Sequence, residues 1–215
     1  MRALCLFYEV RIRPDHFANL VLAVEKEELG IPAGLQDRVA QSYNHPVYMD
    51  FNRAHMEKYH VGKYTPIEIP DDLHIYIAYR TDLAEGSEIL HSRLRQDFEK
   101  GKPKVLNAMK EWASLTDRVR EALEKRDYSE IPALLNRNFD LRCEVCSEAV
   151  SRKNRQMVEL ARKTGASAKF TGSGGAVIGT YEDEKMFRKL VRTLREFQIE
   201  VIKPVIVKNQ KDAWK

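Results

Sequence analysis

The sequence predicts an α+β protein whose C-terminal half is ferredoxin-like. Three observations lead there. Short β-branched or aromatic runs lie between residues 47 and 79, the pattern then turns helical from Ser87 to Ser147, and the chain closes in the order helix, strand, turn, strand, helix, strand.

Composition bounds the rest. The 215 residues, 43% of them hydrophobic, suffice for a substantial core in one continuous mixed unit. Lys and Arg number 36 against 32 Asp and Glu, and the mild excess is spread along the chain, which does not argue for a nucleic-acid partner. No apolar stretch approaches the roughly 20 residues that cross a bilayer, and the opening MRALCLFYEV lacks a small-residue cleavage site, so a cytoplasmic protein without a membrane partner is expected. Three cysteines, Cys5, Cys143 and Cys146, favour reduced thiols. Cys143 and Cys146 form a CxxC with no second Cys or His pair, so packing in a helix is expected there and no metal site.

Taken in order, residues 1–9 read as a helix that begins without a cap, with Leu4, Leu6, Phe7 and Tyr8 apolar. Asp15 to Leu29 keeps helical spacing through Phe17, Leu20, Val21 and Val24, opens after Pro14 and ends at Gly30. Gly34 to Gln41 starts a short helix after the extended Ile31-Pro32-Ala33. Val47 to Phe51, Thr65 to Ile69 and Leu73 to Tyr79 are expected as strands of one antiparallel sheet. Breaks at Gly101-Lys102-Pro103 and Asp127-Tyr128 divide the helical stretch into three helices. Asn154 to Lys163 adds a helix closed by Gly165. A strand before Thr171, a glycine turn, a strand at Ala176 to Tyr181, a helix at Glu184 to Glu196 and a strand at Ile199 to Val207 follow. Residues 208–215 are polar and expected to fray.

Two segments carry candidate chemistry. In Lys169-Phe170-Thr171-Gly172-Ser173-Gly174-Gly175-Ala176-Val177-Ile178, glycines next to an apolar run leave backbone N–H groups that can converge on a polyphosphate, although a ligand-free tight turn uses the same residue types. Asp37, at a helix start preceded by Gly34, is held by the local backbone where it can orient or deprotonate a hydroxyl; the alternative is a cap favoured by the helix dipole. Arg38 reads as a solvated neighbour. His91-Ser92-x-x-Arg95 reads as a helix cap followed by an exposed base.

Together the segments resemble the GHMP superfamily of small-molecule kinases, and within it the plant-type glucuronokinase branch of sugar-acid 1-kinases. The phrases that carry the resemblance are Gly30-Ile31-Pro32-Ala33-Gly34-Leu35-Gln36-Asp37-Arg38-Val39-Ala40-Gln41, Val47-Tyr48-Met49-Asp50-Phe51 and Ala168-Lys169-Phe170-Thr171-Gly172-Ser173-Gly174-Gly175-Ala176-Val177. The resemblance runs to about Val207 and implies the C-terminal part of a GHMP kinase fold, with residues 1–80 a remnant of the N-terminal domain and 81–207 the C-terminal domain. It implies ATP-dependent phosphoryl transfer to a sugar or uronic acid hydroxyl, with ATP and Mg²⁺ as cofactors. Asp37 would be catalytic, Thr171, Gly172, Ser173, Gly174 and Gly175 would lie beside the triphosphate, and Gly34 and Gln36 would meet the substrate. The resemblance also offers Arg38 as the group that keeps the Asp37 carboxylate ionised, the alternative to its solvated reading, and His91-Ser92-x-x-Arg95 as a substrate or phosphate contact, the alternative to its cap reading.

Two departures go with it. The glycine turn is poorer in glycine than is common across the superfamily, and the family's principal ATP loop, Pro-x-x-x-Gly-Leu-Gly-Ser-Ser-Ala or a near variant, would fall before residue 1. Low activity of the chain alone is therefore expected, with self-association or a second chain supplying that segment. The alternative is a non-catalytic nucleotide- or sugar-binding module, or one half of a two-chain kinase. A nucleic-acid binder ranks last, for want of an aromatic strand pair flanked by basic residues.

Overall fold

A computed structural model describes residues 1–31, 33–82, 88–172 and 174–207, with the backbone alone described at 88–93 and 149. Two units divide the chain, Met1–Ile69 with the residues from Ile206 onward, and Pro70–Val205.

In the first unit, α1 (Arg2–Phe7) starts at Met1 without a side-chain cap, as its sequence implies. α2 (Pro14–Ala23) opens with proline at its first position, where the missing N–H costs nothing, and buries Phe17 and Ala18. Its apolar spacing runs on past Ala23, but the backbone there widens into a π-helical stretch, Val24–Glu28, before Gly30 turns the chain at φ +66°. α3 (Leu35–Tyr43) packs on α2 and buries Val39 and Ser42. β1 (Val47–Asp50) pairs antiparallel with β2 (Lys63–Pro66), Val47 facing Pro66 and Asp50 facing Lys63. Between them lies α4 (Arg53–Tyr59), absent from the sequence expectation. Asn52 caps it by accepting the His55 N–H at 3.1 Å, yet none of its residues is fully buried, so no apolar stripe announces it.

β3 (Ile75–Tyr79) corrects the three-strand expectation, because it belongs to the second unit and not to the β1–β2 pair. It lies inside a four-stranded antiparallel sheet of order β4-β5-β3-β6, with Ile77 opposite both Ile178 and Ile202. Burial explains the choice. Tyr76 and Ala78 point to one face and are fully buried, and both strand edges need a partner that β1 and β2 do not supply.

Three helices follow β3, broken at the two expected places, Gly101-Lys102-Pro103 and Asp127-Tyr128: α5 (Glu88–Glu99), α6 (Pro103–Lys125) and α7 (Ile131–Val145). Gly101 at φ +66° and Pro103 at the first position of α6 separate the first two; Arg126, left-handed at φ +56°, ends the second. α6 and α7 bury Ala108, Leu115, Leu134 and Leu141 between them. After α8 (Arg152–Lys163) come β4 (Lys169–Phe170), β5 (Ala176–Thr180), α9 (Glu184–Arg195) and β6 (Glu200–Ile202). α7, α8 and α9 supply Phe139, Met157, Val158, Leu190 and Leu194 to the core that also takes Tyr76 and Val177. The β-α-β-β-α-β connectivity and the strand order make this unit ferredoxin-like, as expected.

Candidate functional site

The upstream candidates gather at the start of α3. Gly34 is its N-cap, extended at φ −116° and ψ 160°, and offers no side-chain oxygen to the first turn. Gln36 and Asp37 follow and are exposed, with 76% of the Asp37 side chain accessible. Asp37 therefore stands inside the first turn, where the helix dipole favours a carboxylate, and is not the cap. Arg38 is not solvated either: its side chain is only 16% accessible and pairs with Glu25, its Nε 2.5 Å from Oε2. Its Nη1 lies 3.4 Å from the Asp37 carboxylate and 3.4 Å from the Gly34 carbonyl oxygen.

The downstream candidates form the connection between β4 and β5, in the second unit. Thr171 and Gly172 are exposed, Gly174 is half-buried and Gly175 buried; Ser173 lies outside the described residues. The turn is held from three sides. Arg142 of α7 donates from Nη1 to the Gly172 carbonyl at 2.8 Å, Asn154 of α8 accepts the Gly175 N–H at 2.8 Å, and the Arg80 N–H donates to the Gly175 carbonyl at 3.0 Å. The expectation of uncovered amides across the turn is corrected at one position: the Gly175 N–H is already spent on Asn154. Gly174, at φ +157°, and Gly175, at φ +76°, take backbone shapes that favour glycine. A Cβ on Gly174 would stand 2.7 Å from Asn154 Nδ2, closer than real contacts allow.

Cations back this turn. Arg142 stacks over the Phe170 ring at 5.2 Å, and burial lowers the pKa of its guanidinium. Lys169 donates to the Phe170 carbonyl at 2.7 Å; burial, and then the nearby Arg142, push its ammonium down to about 8. On the other side the Arg80 guanidinium grips Asp82 at 2.8 and 2.9 Å, and Lys153 reaches the same carboxylate at 3.2 Å. The hydrogen bonds from Arg80 hold Asp82 far below the ordinary carboxylate range, with help from Lys153.

Asn154, Arg142, Arg80 and Lys169 were not singled out from the sequence as holding the turn. Asn154 carried one signal, its place three residues after Ser151, which caps α8 by accepting the Asn154 N–H at 3.3 Å. Lys169 stands in the quoted segment itself but is a strand residue whose charge nothing local assigns to the turn, whereas Arg80 and Arg142 are distant in sequence and only the fold brings them there.

His91 and Ser92 lie outside the described side chains, while Arg95 is exposed and pairs with Glu99 one turn on, at 3.0 Å. Cys143 packs against the main core and Cys146 is buried. Among the described residues no three metal-ligating side chains converge, and no helix is long and apolar enough to cross a membrane.

Residues 119–199, which hold the glycine turn, match the family described as GHMP kinases C terminal. Two Arabidopsis thaliana proteins are similar over most of the chain. Glucuronokinase 1 is 43% identical over 175 residues and probable glucuronokinase 2 is 46% identical over 176, in each case 80% of this chain and 48% of the relative. The chain thus spans about half the length of the curated relatives it matches. Among solved structures, Streptococcus pneumoniae phosphomevalonate kinase in complex with phosphomevalonate and AMPPNP superimposes with a TM-score of 0.76 at 16% identity, covering 94% of this chain and 65% of that one. L. major mevalonate kinase in complex with R-mevalonate gives a TM-score of 0.69 at 18% identity, covering 95% and 63%. At these identities the likeness to the solved structures is one of fold. With the family match, the glucuronokinase relatives and the shared fold in agreement, residues 119–199 of this chain carry the C-terminal domain of the GHMP kinases.

Proposed function

We propose that this chain serves an ATP-dependent sugar or sugar-acid kinase, with a uronic acid as the favoured substrate class. The observation that carries the reading is the glycine turn, fixed by Arg142, Asn154 and the Arg80 backbone within the stretch that matches the GHMP C-terminal domain. Its fit to an anion is physical. Without side chains at 172, 174 and 175 the backbone can approach phosphate oxygens, and Arg142 and Lys169 bring positive charge behind it. In this reading Thr171, Gly172, Ser173, Gly174 and Gly175 hold the nucleotide phosphates, Asp37 orients the receiving hydroxyl, and Gly34 and Gln36 meet the sugar. The Gly172 and Gly174 amides carry the contact, since that of Gly175 is engaged. Mg²⁺ enters on the nucleotide, where it would neutralise phosphate charge. The names of the relatives, glucuronokinases at 43% and 46% identity, support the substrate class.

A second reading, one half of a two-chain kinase, draws support from α1 and the residue after it. Leu6 and Phe7 are each 78% exposed and Tyr8 67%, an apolar run that a further polypeptide segment would cover. One experiment separates the readings. The purified chain is titrated with Mg-ATP by calorimetry, with and without glucuronate, and ADP release is followed with uronic acids and hexoses. Nucleotide binding with turnover supports the kinase reading, and binding without turnover supports the half-enzyme. A folded chain that binds no nucleotide overturns both.

A further inference from the structure

We propose that Asn154 is the positioning residue of the glycine turn, setting its shape and keeping negative charge from behind a bound polyphosphate; this rests on the kinase reading above. Asn154 is fully buried and is the third residue of α8, where Ser151 Oγ accepts its N–H and fixes its backbone. From there Oδ1 takes the Gly175 N–H at 2.8 Å, while Nδ2 fills the space that a Cβ on Gly174 would need. One side chain therefore sets two consecutive residues of the turn, Gly174 at φ +157° and Gly175 at φ +76°.

The choice of amide over acid is informative. An aspartate at this position would sit in the favourable field of the helix N-terminus and would accept the same Gly175 N–H. It would also place a carboxylate directly behind the amides that meet an anion, in a buried setting where like charges repel strongly. The neutral side chain keeps the hydrogen bond and avoids that repulsion. Asn154 acts through the turn and need not touch the nucleotide.

The test compares wild type, Asn154→Asp and Asn154→Ala by calorimetric titration with Mg-ATP, thermal melting and hydrogen exchange at the Gly175 amide. Asn154→Asp is expected to keep Gly175 protected and to lose about tenfold or more in ATP affinity at low salt, with the deficit narrowing as ionic strength rises. Asn154→Ala is expected to lose both the protection and about tenfold in affinity. A purely structural role would couple affinity to protection, so an aspartate variant that is protected and binds as tightly as wild type overturns the proposal. An alanine variant with Gly175 still protected overturns it as well. Wild type that is folded yet binds no ATP removes the kinase reading, and this proposal with it, whereas tight wild-type binding with indifferent variants removes this proposal alone.

Discussion

Arg38 of α3 pairs with Glu25 and only grazes the carboxylate beside it in sequence: its Nε lies 2.5 Å from Glu25 Oε2, against 3.4 Å from Nη1 to Asp37 Oδ2. The pair ties the first turn of α3 to the π-helical stretch that follows α2, and both side chains are largely shielded, at 16% and 24% accessible. Asp37 keeps its outward position while its neighbour anchors the helix that carries it.

Arg38→Ala should therefore cost about 1–3 kcal/mol in urea unfolding, because it strands the half-buried Glu25 carboxylate. Adding Glu25→Gln should recover part of the loss, since the orphaned charge goes with it. A double-mutant cycle showing no coupling would mean that the pair holds nothing.

Asp37→Asn should leave stability within about 1 kcal/mol of wild type, since an exposed first-turn carboxylate loses its interaction with the helix dipole and a long, exposed ion pair with Arg38, each worth little. Under the proposed kinase reading it should abolish ADP release while leaving ATP affinity nearly intact, assayed wherever wild-type turnover is measurable. Equal turnover would remove Asp37 from the reaction.

Much of this fold was legible because punctuation residues do their local work whatever surrounds them. Gly101, Pro103 and Gly165 end or open helices where the sequence places them, and the strand-turn-strand around the glycines follows from its own residues. What escaped depended on distant partners. Ile75–Tyr79 is a sound strand by composition, but its pairing with residues about a hundred positions later, Ala176 to Thr180, has no local signature. Arg38 looked solvated because Glu25 stands 13 residues upstream, across a glycine turn, and α4 was missed because it presents no apolar face. The site divided in the same way: the glycine run was visible as a run, whereas its brackets, Arg142 and Asn154, sit 30 and 21 residues from the groups they hold.

Lys169 gives the molecule a pH signature. Its folded pKa, about 8, lies below the ordinary lysine value, so between the two the unfolded chain binds more protons and stability should rise with pH across that window. Cys143, whose thiol burial pushes up, contributes with the opposite sign, and Arg142 stays charged throughout. Comparison with Lys169→Met isolates the lysine. The stability of Lys169→Met relative to wild type should fall steadily between about pH 7 and pH 10 as wild type sheds its buried charge. Urea midpoints at several pH values measure it, and a difference independent of pH would show the ammonium to be well solvated.

Just before β4, the Ser167 carbonyl oxygen is claimed twice. The buried Tyr76 hydroxyl donates to it at 2.7 Å, and a Cβ on Gly179 would fall only 1.7 Å from it, with Tyr76 Cε1 a further 2.7 Å contact. Tyr76→Phe should cost about 1–2 kcal/mol by leaving that carbonyl unpaired. Gly179→Ala should cost about 3 kcal/mol or more, because the clash is with backbone and no side-chain rotation relieves it. Both changes act on one atom, so their effects in urea unfolding should be non-additive. Strict additivity would mean that the strand shifts independently at the two sites. Ser167 leads through β4 directly into the glycine turn, so a displaced carbonyl here should also weaken nucleotide binding in the kinase reading, although neither residue lies in the turn itself.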